Sequence, residues 1–272
     1  MRLSSNFRNP TAVRSDEPLS DDQIRRFAPS IFAQEAHDSR SERYTYIPTI
    51  EVLNRLRGEG FQPFMVAQTR VRSEDKRDHT KHMIRLRHPS LIAAKEANEI
   101  ILLNSHDGTS SYQMMAGCFR FVCANGLVCG DKSADYRVRH SGDVVANVIE
   151  GAYEVLQNFE EVSEAREAMA SQLLSQDEQF ALARGALAYR YDTELAPAPV
   201  TETQLLMPRR NEDRHADLWT TYNRIQENVI KGGLVGRNVK GQRSKTRAVT
   251  GLDQDLKLNR ALWVMAQSLR QG

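Results

Sequence analysis

The chain has 272 residues, with 37 lysines and arginines against 35 aspartates and glutamates and a formal net charge of +2. That near balance does not announce a polyanion partner; only the distribution of charge along the chain can do so. The length suffices for one large domain, or a core with a smaller helical appendage. The odd set Cys118, Cys123 and Cys129, inside an apolar block, fits buried thiols of a reducing compartment rather than a secreted disulfide framework.

The opening MRLSSNFRNP has no apolar segment after its basic residues, and no apolar run approaches a membrane span. The expectation is a soluble, unexported, cytoplasmic protein with no membrane contact. Residues 1–48 read as mostly irregular. One short helix starts at Ser20, where Ser20-Asp21-Asp22-Gln23 forms a capping box ahead of Ile24 and Phe27. After the polar connector His37 to Arg43, Pro48-Thr49 opens a helix over Ile50 to Arg57, ended by Gly58 and Gly60.

The period then changes from helical to alternating. Phe64 to Arg72 and His82 to His88 read as strands, with Ile84 and Leu86 on one face and Arg85 and Arg87 on the other, as in a half-solvated sheet. The stretch Glu99 to Gly130 then predicts two hairpins. Ile100 to Leu103 pairs with Tyr112 to Met115 across turn chemistry at Asn104 to Thr109, and Cys118 to Cys123 pairs with Leu127 to Cys129 across a tight primed turn at Asn125-Gly126.

Tyr136 to His140 is a short strand. From about Asp143 a helix carries Val144, Val145, Val148, Ala152, Val155 and Leu156 at helical spacing and should cover the sheet. Helix continues over 160–191 with a break at the Ser175 capping box. Ala196-Pro197-Ala198-Pro199 is a stiff linker and the candidate boundary between a core over 1–195 and a helical part over 200–272. In that part Thr201 caps a short helix, Ala216 to Lys231 and Leu256 to Leu269 form longer ones, and Gly232 to Gly251 is a glycine-rich basic loop. The fold class expected is α+β, an antiparallel sheet over about residues 64–130 covered by helices.

Through SRSERYTYIPT (Ser39 to Thr49), GFQPF (Gly60 to Phe64), EIILLNSHDGTSSYQ (Glu99 to Gln113), FRFVCANGLVCG (Phe119 to Gly130), VIEGAYEVL (Val148 to Leu156), LWTTYNRIQENVIKGGL (Leu218 to Leu234) and ALWVMA (Ala261 to Ala266), the chain resembles the phage/plasmid-like protein family, domain of unknown function nine-three-two. The resemblance implies a prophage, plasmid or other mobile element, where genes serve replication, recombination, transfer or evasion of host defence. It carries no activity. The order of several strands followed by a long covering helix is also similar to the core of single-strand annealing recombinases, an analogy of layout alone.

Lys231 to Arg247 holds Lys231, Arg237, Lys240, Arg243, Lys245 and Arg247 with no acidic residue among them, a composition suited to backbone phosphates. The competing reading is a solvated surface loop. A second basic region, Arg70 to Arg87, would turn Arg85 and Arg87 outward, where Tyr112 or Phe119 could add a stacking surface for a single strand. There the competing reading is a charged edge, diluted by Glu74, Asp75 and Asp78. His79, His82 and His88 are poorly spaced for a metal, and the cysteines form no CxxC pair, so no metal is expected.

Ser105-His106-Asp107-Gly108 reads first as a hairpin turn, since catalytic triads are assembled from separated elements; His106 and Asp107 remain turn-tip ligand contacts. No nucleotide loop is present and no cofactor is expected. Trp219 and Trp263 read as core anchors, and Tyr44 with Tyr46 as a sheet edge packing against the helix at 49–58, the competing reading being a ligand or base platform.

The leading expectation is a non-catalytic, DNA-associated protein of a mobile element, a single-strand binding or annealing factor with single-stranded DNA favoured, working as a homo-oligomer. Phosphate contacts would come from Arg85, Arg87, Lys231, Arg237, Lys240, Arg243, Lys245 and Arg247, and stacking from Tyr112. The alternative is a protein-binding inhibitor of a host defence system, with a host protein as partner. A hydrolase centred on His106 and Asp107 is the third reading.

Overall fold

The computed structural model describes residues 12–39, 46–71, 73–91, 96–122, 125–130, 136–137, 144–191, 193 and 195–271. The expectations placed on Tyr44, Arg72, Cys123, His140 and Asp143 lie outside these residues. The fold is α+β. Two compact units divide the chain, residues 1–127 with 132–159, and residues 128–131 with 160–272. Ala196 to Pro199 lies inside the second unit, where the Pro199 carbonyl accepts from the Arg237 N–H at 2.9 Å.

The first unit is built on a sheet of β1 (Ala12–Arg14), β2 (Gln62–Gln68), β3 (His82–Arg87), β4 (Glu96–Asn104), β5 (Gln113–Arg120), β6 (Asn125–Val128) and β7 (Tyr136–Arg137). The strand order is β1-β2-β3-β4-β5-β6, with β7 paired to β5, and the pairings from β1 to β5 are antiparallel. β4 and β5 form the hairpin read from Ile100 to Met115, but β5 runs on unbroken to Arg120. The chain then turns at Phe121 and Val122. Asn125 and Gly126, expected as a tight turn, instead open β6.

One face carries α1 (Asp21–Phe27), whose Ser20 capping box forms as expected, and α2 (Thr49–Gly58), which buries Thr49, Val52, Leu53 and Leu56. α3 (Val144–Ser171) continues this cover. Its Gly151 sits against the Tyr136 ring and Met114, where a Cβ would come within 2.2 Å of the ring. Helical spacing is borne out at Val148, Ala152 and Val155, all buried.

The other face is not solvated, and here the sequence reading is corrected. Arg85 and Arg87 are each 1% exposed, and every residue of β3 is buried. Arg85 Nη1 donates to Glu99 Oε2 at 3.0 Å and to the Leu127 carbonyl at 3.1 Å, while Arg87 Nε donates to Glu99 Oε1 at 2.8 Å. Two whole strands separate β3 from β6 in the sheet, which in a flat sheet puts them about 14 Å apart. The Arg85 contact therefore requires the sheet to curl, closing this face over the arginines. Gly126 has no side chain because the Arg85 guanidinium occupies its place, 2.7 Å from where a Cβ would stand. Arg87 also lies over the Phe119 and Phe64 rings, 4.0 and 4.5 Å from their centres.

A second buried polar network links the sheet to α2. Gln68 Oε1 accepts from the Ser30 N–H and hydroxyl, at 3.0 and 2.8 Å, so that hydroxyl has no proton left for His82. His82 Nδ1 consequently carries the proton. It donates to Ser30 Oγ at 2.9 Å and lies 3.2 Å from the Thr80 carbonyl. The bare Nε2 of His82 then takes the Thr49 hydroxyl proton at 2.9 Å. Thr49 Oγ1 in turn accepts from Asn104 Nδ2 at 2.9 Å and from His106 Nε2 at 3.4 Å.

Both histidines are neutral in the fold: burial, then the proximity of His106, pushes His82 down to about 3, and burial, then His79, pushes His106 down to about 4. The unfolded chain binds more protons below pH ~6.5, so stability falls as pH drops through that value and stops falling only below the folded values. Between pH 6.5 and 5 the expected loss is about 2 kcal/mol per histidine. Urea midpoints at pH 7.5 and 5.0 measure it, and a flat profile would contradict the neutral assignment.

The second unit packs α4 (Gln176–Arg190), α5 (Glu202–Leu206), α6 (Leu218–Lys231) and α7 (Leu252–Gln271). Ser175 caps α4 by the expected box, and α6 is buried nearly all round. Trp219, Tyr222 and Trp263 form one buried aromatic cluster, with ring centres 5.5 to 6.5 Å apart.

Candidate nucleic-acid interface

The stretch read as a basic loop is a two-stranded ribbon. β8 (Val235–Arg237) pairs antiparallel with β9 (Arg243–Lys245), with Val235 opposite Lys245, Gly236 opposite Ser244 and Arg237 opposite Arg243. Partners directly opposite project to the same side, so one face bears Val235, Arg237, Arg243 and Lys245 and the other Gly236 and Ser244. The Gly236 face is covered: a Cβ there would stand 1.8 Å from the Pro199 carbonyl oxygen. The cationic face is exposed at every one of its positions.

The ends of the ribbon are built differently. At its root the Gln204 amide donates to the Val235 carbonyl at 2.7 Å, and Thr246 bonds Leu234 through both backbone and hydroxyl. At its tip Asn238 Oδ1 accepts from the N–H groups of Lys240 and Gln242, each at 3.0 Å, and Gly241 takes the positive φ of 73° that closes the turn. Val239 and Lys240 project from that fixed tip, Val239 being 79% exposed. Arg237, Lys240, Arg243, Lys245 and Arg247 are all exposed and make no ion pair among the described residues. Lys231 differs, its Nζ lying 2.8 Å from Glu227 Oε1.

The other sequence-predicted positions do not join them. Arg85 and Arg87 are neutralised inside the curled sheet, and Tyr112 is wholly buried, so it offers no ring to a base; its burial also pushes the phenol far above its ordinary value. His106 is buried in the network around Thr49. Asp107 is spent on its own turn, its Oδ1 accepting from the Thr109 N–H at 3.0 Å and hydroxyl at 2.6 Å. Neither is an accessible turn tip. His82 is internal to the core, and His88 Nδ1 lies 2.6 Å from Ser90 Oγ.

The family model described as "Domain of unknown function (DUF932)" matches residues 36–263. The chain belongs to this family. It is similar to the UPF0380 protein YafZ of Escherichia coli (strain K12), 60% identical over 268 residues that cover 98% of this chain and 97% of the relative. The UPF0380 protein YfjQ of the same strain is similar to the same degree, with 60% identity over 268 residues and 98% and 97% coverage. No solved structure shows a significant match.

What the ribbon can do follows from its charge and mounting. Like charges directly opposite on a strand pair destabilise it, by a fraction of a kcal/mol up to about 1 kcal/mol, and Arg237 against Arg243 is such a pair. A bound anion between them would reverse the sign. The mounting is expected to be sensitive: Gly236→Ala should force the ribbon off the Pro199–Val200 segment and cost about 2 kcal/mol. A denaturant titration reads that loss, and an unchanged midpoint would show that the segment yields freely.

Proposed function

We propose that the chain binds nucleic acid without catalysing a reaction on it, laying the exposed face of the β8–β9 ribbon against backbone phosphates. The observation that carries this reading is the pairing of Arg237 directly opposite Arg243 on a solvent-facing ribbon, flanked by Lys245, Lys240 and Arg247, with no carboxylate paired to any of them among the described residues. Folding alone gains nothing from that arrangement, whereas a polyanion is held by it and releases counterions on binding. In the mobile-element setting implied by the resemblance, such binding would serve DNA handling. The single-strand platform expected from Arg85, Arg87 and Tyr112 forms no part of the proposal, because those side chains are buried.

Fluorescence anisotropy with labelled oligonucleotides at 50 and 200 mM salt tests the proposal. Binding should weaken steeply and to a similar degree on unrelated sequences, since phosphates carry no sequence information. Absent binding, or binding indifferent to salt, would remove it.

A further inference from the structure

We infer that the ligand of the ribbon is duplex DNA, with the tip seated in the major groove, Val239 against base edges and the flanking cations on the phosphates of the walls. This deepens the nucleic-acid reading above and rests on it.

Shape, composition and the tip each bear on the choice of ligand. A two-stranded ribbon is a body that the major groove of B-form DNA admits, about 12 Å wide and about 8.5 Å deep, while the minor groove is about half as wide. The three extended steps from Val235 to Asn238 span about 10 Å, with Val239 carried beyond them on the turn, enough for the tip to reach the groove floor while the root stays outside. Residues 231–250 contain no phenylalanine, tyrosine or tryptophan, so the ribbon lacks the stacking platform on which non-specific single-strand binders depend.

The tip is also preorganised. Asn238 and Gly241 fix the turn, and Arg237 Nη1 donates to the Gly241 carbonyl at 2.8 Å, aiming its guanidinium along the ribbon toward the tip and leaving its other donors for phosphate. In water, an apolar Val239 held out by that fixed turn at 79% exposure serves no packing role. Against base edges it meets methyl groups and excludes water. The narrow major groove of A-form RNA does not admit side chains, which sets DNA apart from an RNA duplex.

The test uses the full chain with a labelled 20-base-pair DNA duplex, each of its single strands, and the matching RNA duplex, at two salt concentrations, for the native protein and for Val239→Ser. The DNA duplex should bind at least tenfold more tightly than either single strand or the RNA duplex. Val239→Ser should weaken duplex binding about five- to tenfold without changing the slope of log K against log salt, since Val239 touches no phosphate. Equal or tighter binding of single strands or of the RNA duplex, or an unaffected Val239→Ser, overturns duplex seating while the nucleic-acid reading stands. Failure to bind any of the probes overturns both.

Discussion

Replacing Arg237, Arg243 and Lys245 together by glutamate is expected to lower nucleic-acid affinity at least a hundredfold at low salt. If each of the three side chains meets one phosphate, the slope of log K against log salt should shrink by about 3, at roughly one unit per lost contact. The fold should be untouched. All three side chains are exposed and unpaired with carboxylates among the described residues, and the triple change only exchanges the Arg237–Arg243 repulsion for one of like size between two glutamates. Circular dichroism and thermal melting separate the two effects. A melting curve like the native one with lost binding supports the ribbon as the contact surface, whereas native affinity in the triple variant would eliminate it. Lys231→Ala is the matched control, because its ammonium is engaged by Glu227 and its removal should change affinity little.

Glu99→Gln should be the most destabilising single change in the sheet. It replaces the carboxylate that both Arg85 and Arg87 grip, leaving two buried guanidiniums against a neutral amide. Removing one partner of a buried ion pair costs about 3–5 kcal/mol, because the charge left behind stays out of water. At 2–4 °C per kcal/mol, that corresponds to a fall in melting temperature of about 10 °C. Burial alone would raise the Glu99 carboxyl, but Arg85, Arg87 and Arg14 outweigh it and hold the group below the ordinary carboxylate range.

A depressed carboxylate stabilises above its unfolded value, and that contribution disappears as pH falls through the folded value. The Glu99 loss therefore sets in below pH ~4.5, after the histidine loss that begins near pH 6.5. Glu99→Gln should shrink the lower step of the acid unfolding profile, to which Glu227 and other depressed carboxylates also contribute, and keep the upper one. A variant as stable as the native chain would mean that the arginines are solvated.

Local signals carried much of this architecture. The capping boxes at Ser20 and Ser175 and the turn chemistry between β4 and β5 are short-range devices, and each sits where its residues predicted it. What a window of sequence could not show was closure. Arg85 and Arg87 alternate with Ile84 and Leu86 as on a half-wet strand, and the groups that bury them, Glu99 and the Leu127 carbonyl, arrive from β4 and from a strand brought round by curling. One trace was present: Glu99 is a lone carboxylate heading the apolar run Ile100 to Leu103, which asks for a buried cation.

The ribbon was hidden for the opposite reason. Three-residue strands rich in arginine, lysine and glycine carry weak β preference, so the composition pointed to a loop. The alternation that betrays it, Val235 and Arg237 around Gly236 and Arg243 and Lys245 around Ser244, becomes meaningful only once Pro199 is known to cover one side. Asn125-Gly126 failed as a turn because Gly126 is needed where a guanidinium crosses the strand.

The pairing of Ala12–Arg14 with Met65–Ala67 has a consequence for solubility. β2 is long and almost entirely apolar, and an uncovered strand of that kind offers its free backbone groups to any passing chain. A three-residue partner ending in an arginine takes Met65 to Ala67, and the N–H groups of Ser15 and Leu19 take the Phe64 and Pro63 carbonyls, so few backbone groups of that rim are left to template a neighbour. Held in place, those few residues turn an apolar inner strand away from the role of a docking edge for another copy.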